Sequence, residues 1–420
     1  MSGDKEFKDL PEGWKWVRLG EVIEEVNEKV GKKDLEPVAI GVNGVKKRSE
    51  IYYKDLAEDY SKNKVFKTNN IAFGLGSNEM AIGVNIFKKD YCVSPAYKVF
   101  ELKEQNALYF HYFFDFFKKV VGVNFLILSA RQGKSVDFEK FVKEYIPLPP
   151  LPEQQKIAEI LETIDNAIEK TDKIIEKYKR IKQGLMQDLL TKGIDENGNI
   201  RNEKTHKFKD SPLGRIPEEW EVVRLGEIFN IKAGGDIDKL SYCDIKDKRF
   251  QYPIFSNTLE NKGLYGYSDK FTYPENCITI TGRGTLGHAI PRFEKFNAII
   301  RVLVLIPKFE MNIVFISEYI NNKINFIIES TGVPQLTAPK VAEYYIPLPP
   351  LPEQQRIAEI LSQIDQTIEK EQQYKEKLQK IKQGLMQDLL TGKVRVNKLV
   401  EEEEKWTEIY KQFYKNVKII

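Results

Sequence analysis

The sequence predicts an α+β fold with a pseudo-two-fold internal repeat: two globular mixed α/β domains joined by two long antiparallel coiled-coil helices. Three observations carry this prediction. A 17-residue phrase occurs twice, YIPLPPLPEQQKIAEIL at Tyr145–Leu161 and YIPLPPLPEQQRIAEIL at Tyr345–Leu361, and the copies differ only at Lys156/Arg356. The same offset of 200 residues returns IKQGLMQDLLT at Ile181–Thr191 and Ile381–Thr391, and an offset of 206 pairs PEGWKWVRLGEV (Pro11–Val22) with PEEWEVVRLGEI (Pro217–Ile228). Between these echoes the two halves share almost nothing. One constant frame presenting two different surfaces is the natural reading.

The segments follow in order. Residues 1–10 are polar and read as a flexible N-terminus. Residues 11–145 read as the first globular domain, with strands in NNIAFGLGS and YCVSPAYKVFEL and a buried aromatic helix at Ala107–Val120. Residues 146–192 are a proline-rich elbow and the first long helix. The prolines of IPLPPLP cannot join a helix or a central strand, so the phrase reads as a stiff extended connector. Pro152 suits a first helical turn, and Glu153 suits the positive end of the helix dipole.

The helix predicted over 153–191 carries Ile157, Leu161, Ile164, Ile168, Ile175, Tyr178, Leu185 and Leu189 at heptad spacing, with Thr171 and Lys182 filling the gaps. At about 1.5 Å per residue such a rod is about 60 Å long. So narrow an apolar stripe needs a partner helix, and the second copy supplies Ile357, Leu361, Ile364, Ile368, Leu378, Leu385 and Leu389. Polar seam positions such as Lys182 and Lys382 fix register. Gly184 and Gly384 each cost about 1 kcal/mol inside a helix; close helix–helix approach or a hinge would account for them.

Residues 193–217 read as a linker with a turn at Asn197–Gly198. Residues 218–345 read as the second globular domain, with strands at CITIT and AIIRVLVLIP and a helix at Asn312–Glu329. Residues 346–392 repeat the elbow and helix. Residues 393–420 read as a C-terminal amphipathic tail outside the repeat, with an acidic run at Glu401–Glu404 and apolar residues from Trp406 to Val417 at helical spacing. That face packs either on its own chain or on a partner subunit.

Composition narrows the class. Lys and Arg number 65 against 62 Asp and Glu, so any basic surface is local. Three scattered cysteines suggest a reducing compartment. A polar start and the lack of a long apolar run point to a soluble cytoplasmic protein without membrane contact.

Catalytic motifs are missing. The G-x-G-x-x-G at Gly282, Gly284 and Gly287 is followed by HAIPRF, which reads as a strand, so it is a turn with Arg283 and Thr285 at its tip rather than a dinucleotide loop. Phe73–Gly83 holds a similar place, but the N/D-P-P-aromatic motif of amino-methyltransferases is absent. Histidines and cysteines lack metal-ligand spacing, so no catalytic residue, metal or cofactor is assigned to this chain. What remains are basic and polar clusters of the kinds that read bases and hold phosphates. In the first domain these are Lys46, Lys47, Arg48, Ser77, Asn78, Arg131, Gln132 and Lys134. In the second they are Arg249, Asn257, Arg283, Thr285, Gln335 and Lys340, beside Lys246, Lys248 and Gln251. Taken singly, any one of them is more often a solvated surface group, and the loop clusters beside the glycine-rich turns are the stronger candidates.

The doubled IPLPPLPEQQ…IAEIL phrase, the QGLMQDLLTKGI helix end and the linker SPLGRIPEEWEVVRLGEI together resemble the specificity subunit of type I restriction–modification systems, over residues 11–393. The resemblance implies two target-recognition domains, each reading one half of a split site on double-stranded DNA. Paired helices would set the half-site spacing; a rod of this length spans roughly 17 base pairs at about 3.4 Å each. It further implies that two modification subunits dock on the repeated segments, bring S-adenosylmethionine and methylate adenine after base flipping, and that restriction subunits add a motor and nuclease. A stretch of the form Gly-x-x-Gln-x-x-Ile/Leu often precedes the connector in the family. The second half offers Gly332, Gln335 and Leu336, whereas the first has Ser129-Ala130-Arg131-Gln132-Gly133. The competing reading is a non-enzymatic coiled-coil scaffold with two protein-binding domains.

Overall fold

The computed structural model describes residues 10–42, 44–51, 59–74, 81–129, 133–326, 334–403 and 405. The chain forms two compact units, Met1–Asp172 with Gln373–Ile420, and Lys173–Gln372. Each unit therefore holds one globular region and part of each long helix, Leu151–Leu189 and Leu351–Leu390.

In the first unit the strands Ile23–Val26, Lys98–Leu102, Asn70–Phe73 and Ile82–Val84 form an antiparallel sheet in that order. The aromatic helix, Ala107–Phe125, packs beside Ile82–Val84. Phe73 anchors the core, with the rings of Phe100, Phe114, Phe138 and Phe141 edge-on around it at 5.3–6.1 Å. The segment YCVSPAYKVFEL, expected as one strand, is two. Tyr91–Val93 pairs with Lys64–Phe66, and a turn closed by Tyr97 N–H on the Ser94 carbonyl separates it from Lys98–Leu102. Pro95 sits at the second position of that turn, where its fixed φ is favoured.

In the second unit the four-stranded antiparallel sheet runs Phe229–Ala233, Leu303–Pro307, Cys277–Ile280, Ala289–Arg292. A three-stranded sheet lies in the order Leu264–Ser268, Tyr252–Phe255, Asn297–Ala298. The AIIRVLVLIP run is thus divided between the two sheets. The helix expected over Asn312–Glu329 starts on Asn312, whose side chain caps Val314 N–H and Phe315 N–H at 3.0 Å, but it ends at Lys323. Ile324 is extended, and Phe326 packs against Gly287 and the ring of Tyr344. Phe326 is half-buried there, and these contacts stand where a further helical turn was expected.

The elbow is not a free connector. Tyr145–Leu148 pairs antiparallel with Lys15–Arg18, and Tyr345–Leu348 with Glu221–Arg224, so the two families of echo bind one another. Pro147 stands opposite Trp16 and Pro347 opposite Val222. A two-stranded ribbon has only edges, where proline is tolerated. Arg18 and Arg224 donate to the phenol oxygens of Tyr145 and Tyr345 at 3.2 and 2.9 Å and lie over those rings.

Both long helices begin at the leucine before the last proline, two residues earlier than expected. Glu153 and Glu353 do more than face the helix dipole: both are buried. Glu153 accepts from the Trp14 indole at 3.0 Å and from Arg395 Nε at 2.7 Å. Glu353 accepts from Trp220 at 3.1 Å, from Ile194 N–H at 2.8 Å and from Arg201. Arg395 thus takes in the first unit the place Arg201 takes in the second, which corrects the expectation that the chain beyond the second helix leaves the repeat. The single difference between the phrases follows the local partner. Lys156 meets Glu159 and Glu403, whereas Arg356 donates to the Glu196 carbonyl of the linker turn.

Gln154 and Gln354 are buried as well. Their amides donate to the carbonyls of Pro149 and Pro349, and their oxygens accept from Asn106 N–H and Asn312 N–H, at the start of each domain's helix. The Glu-Gln pair therefore joins elbow, long helix and globular region in both units.

The seam residues divide by position. Ile157, Leu161 and Leu389, with Leu385, enter the first globular core, and Ile357, Leu361 and Leu189, with Leu185, enter the second. Ile164, Ile168, Ile364 and Ile368 are half-buried. The ends of the stripe are therefore covered by a globular core as well as by a helix. The helices pair antiparallel in each unit, through Lys382–Asp165 and Lys375–Asp172 at 2.6 Å in the first and Lys182–Asp365 at 2.7 Å in the second. Burial works against the Lys182 ammonium, but hydrogen bonds to Asp365 and Glu318 outweigh it and hold its pKa above the usual lysine value.

Candidate nucleic-acid interface

The second unit builds its candidate site on the turn between Cys277–Ile280 and Ala289–Arg292. Both strands are predicted by sequence, and the first is wholly buried. Gly282 is boxed in: a Cβ there would run into the Arg301 carbonyl. Gly284 and Gly287 have φ of 68° and 81°, which favours glycine. Thr281 donates its hydroxyl to the Thr285 carbonyl and accepts from His288 N–H at 3.0 Å.

Two loops distant in sequence pin the turn. Asn257 accepts from Gly282 N–H at 2.8 Å, and Leu336 N–H donates to the Gly282 carbonyl at 3.1 Å. The turn thus brings together Asn257, Arg283, Thr285 and the Gln335–Leu336 segment. Arg283 and Thr285 are exposed at its tip, Gln335 is half-buried, and Asn257 serves to hold the loop.

Arg301 joins them and was missed by sequence reasoning. Its carbonyl touches Gly282, and its Nε is buried with no hydrogen-bond partner among the described residues. The only signal was a lone cation inside an apolar run.

The strand Ala289–Arg292 leads on to a cleft of about 860 Å³, lined in part by Lys246, Phe255, Lys262, Tyr267, Arg292 and Phe293. Arg292 is built into its wall. It lies over the Phe255 ring and donates to Thr279 Oγ1 and the Lys262 carbonyl, both at 2.8 Å. Burial pushes its guanidinium down to about 9, and Glu294 offsets only part of that. Arg292 is thus a buried wall residue, whereas Lys246, over the Tyr267 ring, and Lys262 are exposed in the cleft, and exposed cations of this kind beside a polar, glycine-rich turn can hold a phosphate strand.

The other candidates are dispersed. Arg249 is exposed but paired with Asp269 at 3.0 Å and laid over Phe250. Lys340 lies on the short helix Ala338–Ala342. In the first unit Lys46 is exposed on the strand Gly44–Lys47, Lys47 faces Glu36 at 3.5 Å, and Arg48 lies over the Tyr60 ring. Ser77, Asn78, Arg131, Gln132 and Gly332 lie outside the described residues, as does the apolar face expected from Trp406 to Val417. Lys134 falls on the strand Gly133–Val136, and its side chain is outside them too.

Among the described residues no group of three or more His, Cys, Asp and Glu is placed to hold a metal ion, and no helix is long and apolar enough to cross a membrane.

Comparison with known proteins gives a consistent picture. The family described as the type I restriction modification DNA specificity domain matches residues 11–179 and 217–380. The type I restriction enzyme MjaVIII specificity subunit of Methanocaldococcus jannaschii is 30% identical, with 94% of this chain and 97% of the relative covered. The putative MjaX specificity subunit of the same organism is 29% identical, covering 93% and 96%. In fold, the S subunit of a type I restriction–modification system from M. genitalium aligns at a TM-score of 0.59 and 16% identity, over 91% of this chain and 96% of that one.

Proposed function

The chain belongs to the type I restriction–modification DNA specificity family, and from that premise we propose how its parts divide the work. Each globular domain reads one half of a bipartite DNA site. The paired helices set the half-site spacing. The frame docks two modification subunits, which bind S-adenosylmethionine and methylate the DNA, and restriction subunits join that assembly. The specificity chain itself supplies recognition and no catalysis.

One observation carries this division. The Trp–Glu–Arg and Gln contacts that hold each domain on its helix are the same in both units, while the glycine-rich turn and its pinning loops belong to segments that share no visible sequence. A frame kept twice and surfaces made different suit two readings of one kind of ligand.

Reconstitution tests it. The chain with S-adenosylmethionine leaves DNA unmodified, and adding the modification subunits produces methylation at one bipartite sequence. Methylation by the chain alone would overturn the reading. Retardation of mixed duplex DNA that falls steeply with salt separates it from a protein-binding scaffold. Replacing Arg283 by alanine lowers affinity and, where the side chain meets a phosphate, reduces the salt slope by about 1. Titrating labelled duplex at several salt concentrations reads both effects.

A further inference from the structure

We propose that the cleft beside Phe293 binds a single unstacked nucleotide, its phosphate held by Lys246 and Lys262 and its base laid on the Phe293 ring. The proposal rests on the reading of the second domain as a DNA reader and adds a site separate from the turn that carries Arg283.

The cleft offers a wall, two cations and a ring, and the fold accounts only for the wall. Arg292, 5% exposed, covers the Phe255 ring and donates to the Lys262 carbonyl at 2.8 Å. That bond pins an unusual turn. Asn261 and Lys262 are consecutive left-handed residues, with φ of 45° and 52°. Such a conformation persists only where the surroundings impose it. The buried guanidinium therefore holds in place a turn whose Asn261 and Lys262 line the cleft.

Charge and shape say what enters. Lys246 reaches the same space from another loop, 6.0 Å from the centre of the Tyr267 ring. Lys246 and Lys262 are exposed, and among the described residues neither forms an ion pair. Lys182 and Glu318, also in the lining, face each other at 3.1 Å, and Glu294 is the other carboxylate there. Cations outnumber carboxylates four to two, which selects an anion. Phe293 follows Arg292 directly and is 61% exposed. Arg292 occupies the Phe255 ring and Lys246 the Tyr267 ring, whereas among the described residues Phe293 meets neither a cation nor another ring. An anion with a flat apolar body uses all of these groups, and a nucleotide is such a body. A stacked duplex does not. Its phosphates reach the lysines, but its bases show only their edges in the grooves, so a phenyl ring meets a base face only where the base has left the stack. The volume of about 860 Å³ suits a small-molecule pocket. The strand Ala289–Arg292 runs from the glycine-rich turn to Phe293, about 13 Å at about 3.3 Å per residue, so a duplex held at the turn has a nucleotide within reach of the cleft. The chain holds that nucleotide and does no chemistry on it.

The test titrates the full chain with a labelled oligothymidylate, whose bases are unpaired, and with a labelled mixed duplex, at several salt concentrations. Phe293→Ala weakens binding of the single strand about tenfold, and Phe293→Trp restores it. Both variants bind the duplex within about twofold of wild type and unfold at the wild-type temperature, because the ring is exposed. Lys246→Ala and Lys262→Ala each reduce the salt slope for the single strand by about 0.7. Arg283→Ala gives the opposite pattern, weakening the duplex and sparing the single strand. Competitors separate the sources of the nucleotide. Displacement of oligothymidylate by thymidine monophosphate shows that a free nucleotide suffices, displacement only by a duplex with one bulged nucleotide shows that the site draws on DNA, and displacement by neither overturns the proposal. If Phe293→Ala binds oligothymidylate as wild type does, or loses single strand and duplex alike, the proposal falls while salt-dependent duplex binding upholds the DNA-reading role. A wild-type chain that binds neither nucleic acid overturns that role as well.

Discussion

Replacing Glu353 by alanine destabilises the chain by about 3–5 kcal/mol, because it leaves a buried charge without its partner. Glu353 is 8% exposed, and Arg201, which reaches it through both terminal nitrogens, is 7% exposed. The substitution also strips an acceptor from the Trp220 indole and from Ile194 N–H. Arg201 keeps only Glu219, whose side chain is 67% exposed. Glu353→Gln loses less, since an amide oxygen still accepts from the indole or the backbone. Glu153→Ala follows the same logic at lower cost: the Arg395 side chain is 23% exposed and can turn toward water. Urea unfolding of the three variants gives the order directly. A Glu353→Ala midpoint equal to that of wild type would show that this network does not hold the domain on its helix.

The doubled frame was legible because repetition in a sequence requires no knowledge of contacts. Its working parts were less so. Glu153 and Glu353 read as helix-start residues, since the groups that bury them, Trp14 and Arg395 or Trp220 and Arg201, lie more than a hundred residues away. Arg395 was invisible for a further reason: its echo of Arg201 is one arginine after an aliphatic residue, too short to register as a repeat. Strand propensity located CITIT and HAIPRF, but which sheet a strand joins depends on its partners, so AIIRVLVLIP read as one element although its two ends serve different sheets. The glycine-rich turn was legible as a turn. That Asn257 holds it and Arg301 backs it follows only from the chain returning twice to the same place.

Exchanging residues 218–345 for the matching region of a relative with a different target changes one half of the methylated sequence and leaves the other half unaltered. The boundaries fall where the constant contacts begin and end. Trp220 and Arg224, which meet Glu353 and Tyr345, are restored by the incoming copy of the repeated opening. The other anchor is more tolerant. Gln354 accepts from the backbone N–H of Asn312, just as Gln154 accepts from that of Asn106. Any residue except proline offers that donor, so this anchor asks nothing of the incoming side chain, and Ile357 and Leu361, which enter the domain core, ask only for an apolar surface. This is also how the two halves could drift apart while EQQ stayed fixed: the frame grips main chain, and the loops beyond it are free to vary. Mapping methylated bases across a genome carrying the exchanged chain decides the matter. Changes in both half-sequences would mean that the domains do not read independently.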